Sequence, residues 1–188
     1  GFSQPSVWLL FSTFVLAAAI DESGIGRRFA LNILKHAKGQ PRLTVLYVYL
    51  TVALSGLFIP TASGRAAMIT PICTGMIQVV KEGPRASHYG KNLLLGVAFV
   101  SSFMQWAVMT GSNASIYAVS TIERLTGFRW DYLGWFLFHF PLLVVLLFSL
   151  WAVLGRQHPL RKGETAVGSE FIREQLRSMG KFGKPEIK

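Results

Sequence analysis

Apolar residues along this chain come in long blocks, with the polar ones gathered between them. Phe2–Ile20, FSQPSVWLLFSTFVLAAAI, is long enough for one bilayer span, since a helix rises ~1.5 Å per residue and the hydrocarbon core is ~30 Å thick. Asp21, Glu22, Gly24 and Gly26 end it. Phe29, Ala30, Ile33, Leu34 and Ala37 then recur at helical spacing, with Arg27, Arg28, Lys35 and Lys38 on the polar face. That pattern predicts an amphipathic helix lying on the membrane surface. Leu43–Ile59 and Ala66–Val80 are apolar arms around a polar tip, Pro60-Thr61-Ala62-Ser63-Gly64-Arg65. Asn92–Ile122 is apolar but interrupted at Thr110–Ser115, TGSNAS, where Gly and Asn favour non-helical backbone. Tyr132–Leu154 is the last span, with Trp130, Tyr132 and Trp135 at one end and Trp151 at the other, as interfacial aromatics sit.

The predicted fold class is therefore an all-α membrane protein. Its expected parts are a transmembrane helix over 1–22, a cytoplasmic interfacial helix over 23–42 and a helical hairpin over 43–81. A broken transmembrane helix over 91–122, a transmembrane helix over 130–155 and a cytoplasmic segment over 156–188 follow. Starting at Gly1 inside an apolar block, the chain is expected to be part of a longer one.

Composition agrees with a lipid setting: 51% of residues are hydrophobic and 15% charged, where globular domains average about a quarter charged. The net charge of +10 does not point to nucleic acid, because no basic patch with interleaved aromatics occurs. Apart from Arg65, the basic residues from Arg27 to Lys91 and from Arg156 onward fall on one side of the layout, against Arg124 and Arg129 on the other. The positive-inside rule makes the first side cytoplasmic, in a multi-pass protein of the cell membrane. The single cysteine, Cys73, excludes an internal disulfide and reads as a small apolar residue on a helix.

Charge cannot say whether 43–81 crosses fully, with the tip as an outer loop, or dips in from the cytoplasm and turns at depth. Non-helical backbone at depth survives only when buried in protein or lining a wet cavity. Two interrupted segments in one bundle point to a transport site, since half-helix N-termini attract anions and bare carbonyls attract cations. The tip supplies hydroxyls at Thr61 and Ser63; the break supplies Ser112, Ser115 and the amide of Asn113. Neither has a carboxylate, so the chemistry suits an anion with a sodium ion held by oxygens. Arg65 is either a fixed charge beside that anion or a residue reaching to water.

On these stretches the chain resembles the divalent-anion/sodium symporters of the ion transporter superfamily. GFSQPSVWLLFSTFVLAAAIDESGIGRRFALNIL is similar to that family's helix and cytoplasmic arm. FIPTASGRAAMITPI is similar to its re-entrant hairpin, whose tip carries Ser-Asn-Thr; GSNAS falls at its Gly-(Ser/Thr)-Pro-Pro-Asn break. WFLFHFPLLVVLLFSLW resembles its next helix, and IREQLRSMGKFGKPEIK the linker to a second repeat. The resemblance implies one inverted repeat of a secondary carrier of di- or tricarboxylates or sulfate, paired with the second repeat in a homodimer. It implies substrate contacts from Thr61, Ala62, Ser63, Arg65, Asn113 and Ser115. Cation contacts would come from Thr61, Ala62, Gly111, Ser112 and Asn113, with no cofactor beyond sodium. Ala62 stands where the family has Asn, and the proline before the tip with the arginine after it resembles the 2-oxoglutarate/malate translocator branch. Arg65 would then replace the charge of sodium, giving sodium-independent exchange that Arg65→Gln abolishes. An anion channel is the rival from another class.

An enzyme is not expected, because no nucleophile–base pair or metal-ligand cluster lies within a span. His139, two residues before Pro141, is expected to bond nearby backbone, and His36, His88 and His158 to be solvated. Thr74, Ser101 and Ser102 are expected to hydrogen-bond between helices. Glu123 and Asp131 are expected to form exposed pairs with Arg124 and Arg129.

Overall fold

Stripes of apolar residues three and four apart decide which faces this chain hides. The computed structural model describes residues 8, 11, 12, 15, 19, 25–37, 40–59, 61–79, 84–160, 172 and 174–178, and among them every regular element is helical. The helix expected over 1–22 and most of the segment beyond Leu160 lie outside the described residues. In order, the elements are α1 (Ile25–Leu34, continued by a 3-10 turn at Lys35–Ala37), α2 (Pro41–Ser55) and α3 (Ala62–Val79). Then come α4 (Pro84–Ala107), α5 (Asn113–Thr126) and α6 (Tyr132–Gln157).

Helix ends follow local chemistry. Proline opens α2 at the first helical position, where a missing N–H costs nothing. Asp131 caps α6, accepting the Gly134 N–H at 3.0 Å. This carboxylate, expected in a loop ion pair, is thus used as a cap. Arg129 does pair with Glu123, but with side chains 84% and 40% exposed the pair adds little to stability. Gly127, at φ 73°, stops α5 in the left-handed conformation that glycine adopts without strain.

α4 is the central post. It packs on α3, α2 and α6, so the two hairpin arms embrace α4 more than they touch each other. The reason is visible in the stripes. Val45, Val48, Tyr49 and Val52 on α2 repeat at i, i+3, i+4 and i+7, as do Ile69, Ile72, Cys73 and Met76 on α3; all are buried. They meet Tyr89, Leu93, Val97 and Val100 on α4. The Tyr49 hydroxyl donates to the Asn92 carbonyl at 2.8 Å. Its ring lies where a side chain on Gly96 would be, so only glycine lets the two helices approach this closely. Cys73 is fully buried in that core, as a small apolar residue would be.

α1 buries Ala30, Leu31 and Leu34 against this bundle, chiefly on α2. Its apolar face therefore turns into protein, where the sequence pattern placed it on lipid. α6 does the opposite. Leu133, Leu137, Phe138, Val145 and Phe148 are all about half exposed or more, and it alone among the described helices is long and apolar enough to cross a membrane unaided. Such a surface suits hydrocarbon. The arms α2 and α3, with 15 and 18 residues, reach about 22 and 27 Å, short of a ~30 Å core.

Candidate functional site

The tip is tighter than its sequence suggests. α2 ends at Ser55; Gly56–Phe58 turn, and Ile59 donates back to the Ser55 carbonyl at 2.8 Å. Pro60 lies outside the described residues. Thr61 starts α3: its Oγ1 accepts the Gly64 N–H at 3.2 Å and its carbonyl accepts the Arg65 N–H at 3.2 Å. Ala62, Ser63 and Gly64 are thus the first turn of a helix rather than loop. Helix geometry leaves the Ala62 and Ser63 N–H groups without intrahelical acceptors, a positive helix end. Ser63 is exposed; Thr61 and Ala62 are half-buried.

Arg65 is fully buried. One terminal nitrogen donates to the Ile59 carbonyl at 2.6 Å and the other to the Ser101 carbonyl, 36 residues away on α4, at 2.6 Å. The guanidinium therefore ties both sides of the tip to the post. Its Nε and the Ser101 hydroxyl are buried without a protein partner among the described residues.

The break opens earlier than TGSNAS. α4 ends at Ala107, and Val108–Ser112 form a turn closed by Gly111 N–H donating to the Val108 carbonyl at 2.8 Å. Gly111 folds back onto α4: a Cβ there would stand 2.7 Å from the Gln105 carbonyl oxygen and 2.9 Å from its Cα. Ser112 then caps α5, accepting the Ser115 N–H at 3.1 Å. Ser115 donates its hydroxyl proton to the Gln105 carbonyl at 3.1 Å, so in the 3.0 Å contact between the two hydroxyls Ser112 must be the donor. Both hydroxyl protons point inward, and what each oxygen offers a ligand is a lone pair. Asn113 and Ala114 are the first residues of α5 and supply N–H groups to the same mouth. The Asn113 side chain lies outside the described residues.

Tip and break stand at one level of α4. Gly56 packs on the Met104 side chain, Arg65 reaches Ser101, and Gly111 and Ser115 lie against Gln105. The tip's contacts at Ser101 and Met104 and the break's contacts at Gln105 thus fall within about one helical turn of the post.

Neighbouring residues hold this end of the post. Trp135 Nε1 donates to the Trp106 carbonyl at 3.0 Å, satisfying one of the last carbonyls of α4. His139 bonds the Trp135 carbonyl through Nδ1 at 2.9 Å and stacks on that indole. A carbonyl can only accept, so Nδ1 carries the proton. The cleft of about 320 Å³ between α4 and α6 beside Trp106 and His139 is mostly apolar and offers an anion little.

Among the described residues, the serines and threonines expected to join helices form no such bond. Thr74 bonds the Pro71 carbonyl and Ser102 the Ala98 carbonyl, both within their own helices, the local route open to any short hydroxyl. His88 is half-buried edge-on against His158 rather than solvated. The roles of Gln105 and Trp106 carried no sequence signal, because their carbonyls matter and not their side chains.

Comparison with known proteins meets this geometry from outside. A family profile described as sodium:sulfate symporter transmembrane region matches residues 1–188. The chain is 28% identical to the citrate/succinate antiporter of Escherichia coli K12 over 152 residues, 78% of this chain and 31% of that protein. It is 23% identical to the sodium-dependent high-affinity dicarboxylate transporter 3 of Caenorhabditis elegans, over 78% of this chain and 28% of that protein. A membrane protein of Cupriavidus necator is 24% identical over 99% of this chain and 36% of its own length. The chain spans about a third of the length of these relatives. With the profile matched from end to end, it belongs to the divalent anion:sodium symporter family.

Proposed function

We propose that this chain is one repeat of a secondary active carrier for small dianions or trianions, di- or tricarboxylates or sulfate. Thr61–Arg65 and Gly111–Ser115 form its substrate site. The observation that carries this reading is the level arrangement of tip and break on Met104 and Gln105. The first-turn N–H groups of α3 and α5, at Ala62, Ser63, Asn113 and Ala114, receive the anion. Arg65 lends its positive charge from just behind the tip, with its Nε–H among the donors not committed to backbone. Lone pairs of Thr61, Ser112 and Ser115 and the carbonyls around Gly111 suit a sodium ion co-transported with the anion.

Depth supports the same reading. Asn92 lies beside Arg42, Trp151 and Arg156, a basic, tryptophan-bearing rim that the positive-inside rule makes cytoplasmic. From Asn92 to Met104 the post rises ~18 Å, well inside a ~30 Å core and short of its far side. The hairpin is then re-entrant, α4 and α5 are the broken helix, and the second repeat supplies the facing half of the site within a homodimer. The half-exposed apolar face of α6 meets lipid.

A second reading, sodium-independent exchange, draws on Arg65 and on Ala62, which has no side-chain oxygen for a cation. Uptake of labelled succinate, citrate and sulfate into proteoliposomes holding the full-length carrier separates the two. Uptake that follows an inward sodium gradient supports symport; uptake driven only by counter-loaded dianion supports exchange. Currents far above carrier turnover, with no saturation by substrate, would replace both with a channel.

A further inference from the structure

We propose that a basic cavity at the opposite end of the post binds a phosphate-bearing group, the headgroup of an anionic phospholipid. The start of α2, the first half of α4 and the last turns of α6 line about 160 Å³, room for about five waters at ~30 Å³ each and so for one phosphate. Arg42 and Arg156 stand on its walls with Trp151 and Asn92, and no acidic residue lines it among the described residues. The cavity is built rather than incidental. Trp151 Nε1 donates to the Arg42 carbonyl at 3.1 Å, which fixes where that arginine leaves the backbone. Asn92, 1% exposed, donates to the His88 carbonyl at 3.0 Å and the His158 carbonyl at 2.9 Å, locking α4 to the end of α6.

The local field favours an anion. Pro41 has no N–H and the Gln40 side chain does not cap α2, so the positive end of that helix lies beside Arg42. The C-terminus of α6 opposes this, but Arg156 occupies its last turn. Two arginines and a tryptophan between helices at the basic rim form the kind of pocket that holds anionic headgroups. Val45 and Leu160 add apolar wall, which suits the glycerol-ester region of a lipid and does nothing for inorganic phosphate. This cavity lies about twelve residues of α4 away from the tip, ~18 Å along the helix, and so is separate from the proposed substrate site.

The test uses the full-length carrier in detergent, with retention of phosphatidylglycerol and phosphatidylcholine of matched chains read by native mass spectrometry. Preferential retention of phosphatidylglycerol is expected. It should fall about 30-fold in an Arg42→Gln/Arg156→Gln double variant, given the attraction of two basic residues for an anionic lipid. Gly155→Phe should abolish it while both arginines remain, because a Cβ on Gly155 meets nothing within 4 Å and the ring can fill the cavity without moving backbone. Displacement of the lipid by millimolar inorganic phosphate would keep the phosphate site and assign it to a soluble phosphate ester. Equal retention of both lipids, or unchanged phosphatidylglycerol retention in Gly155→Phe, would overturn the proposal.

Discussion

Replacing Arg65 with methionine keeps much of the side-chain length and removes both donors that hold the hairpin tip. The two carbonyls they serve are not equivalent. Ser101 lies inside α4, where its carbonyl retains its helical N–H, so the loss there is about 1 kcal/mol. Ile59 lies in the tip outside any helix, and its buried carbonyl would be orphaned at ~1–3 kcal/mol. Relief from burying a guanidinium opposes these costs, so their sum is an upper bound. Local opening of the tip should therefore become easier by up to ~2–4 kcal/mol, at most about 30- to 700-fold in protection, at a factor of ten per ~1.4 kcal/mol. Hydrogen exchange of the full-length carrier in nanodiscs reads this in peptides covering Leu57–Ile59 and Gly64–Arg65. Peptides from the Val45–Val52 core serve as the unchanged control. Arg65→Lys separates charge from fork: one ammonium cannot span both carbonyls, so the tip loosens while substrate affinity is largely kept. Tip exchange within about threefold of wild type in Arg65→Met would refute the clamp.

Gly96→Ala should destabilise the carrier by ~1–3 kcal/mol, because the new methyl enters the Tyr49 ring; Tyr49→Leu in the same chain should recover part of the melting temperature. Gly111→Ala should leave expression near wild type and lower uptake at least about tenfold, since the clash is with backbone that forms the break itself. Ser112→Ala removes the cap of α5, worth about 1 kcal/mol, and one oxygen at the mouth of the break. It should raise the sodium concentration for half-maximal uptake more than it raises the substrate KM; the reverse order would move the cation elsewhere.

Much of this arrangement is legible in residue types. Glycine and hydroxyls mark both interruptions, with a proline at the tip and an asparagine at the break, because each favours backbone that a helix cannot use. What is not legible is how the ends are finished. TGSNAS locates the break, but the turn begins at Val108, since Gly111 must fold back onto Gln105 to close it. PTASGR locates the tip, but a cap from Thr61 draws Ala62–Arg65 into α3. Arg65 is conspicuous in sequence; its partner on Ser101 is a backbone carbonyl, which leaves no trace in side-chain pattern. The apolar stripe of α1 is equally real on lipid or on protein, and only its neighbours α2 and α3 decide.

The direct test of the site is substrate-protected labelling at Ser63→Cys and Ala114→Cys, two exposed positions of the tip and the break, in otherwise cysteine-free full-length carrier with Cys73→Ala. A membrane-impermeant thiol reagent should modify both only while the carrier is open, and saturating substrate should slow both reactions together. Labelling at Ser63→Cys from the outer face alone, at a rate indifferent to substrate, would place the turn in an outer loop and contradict the account.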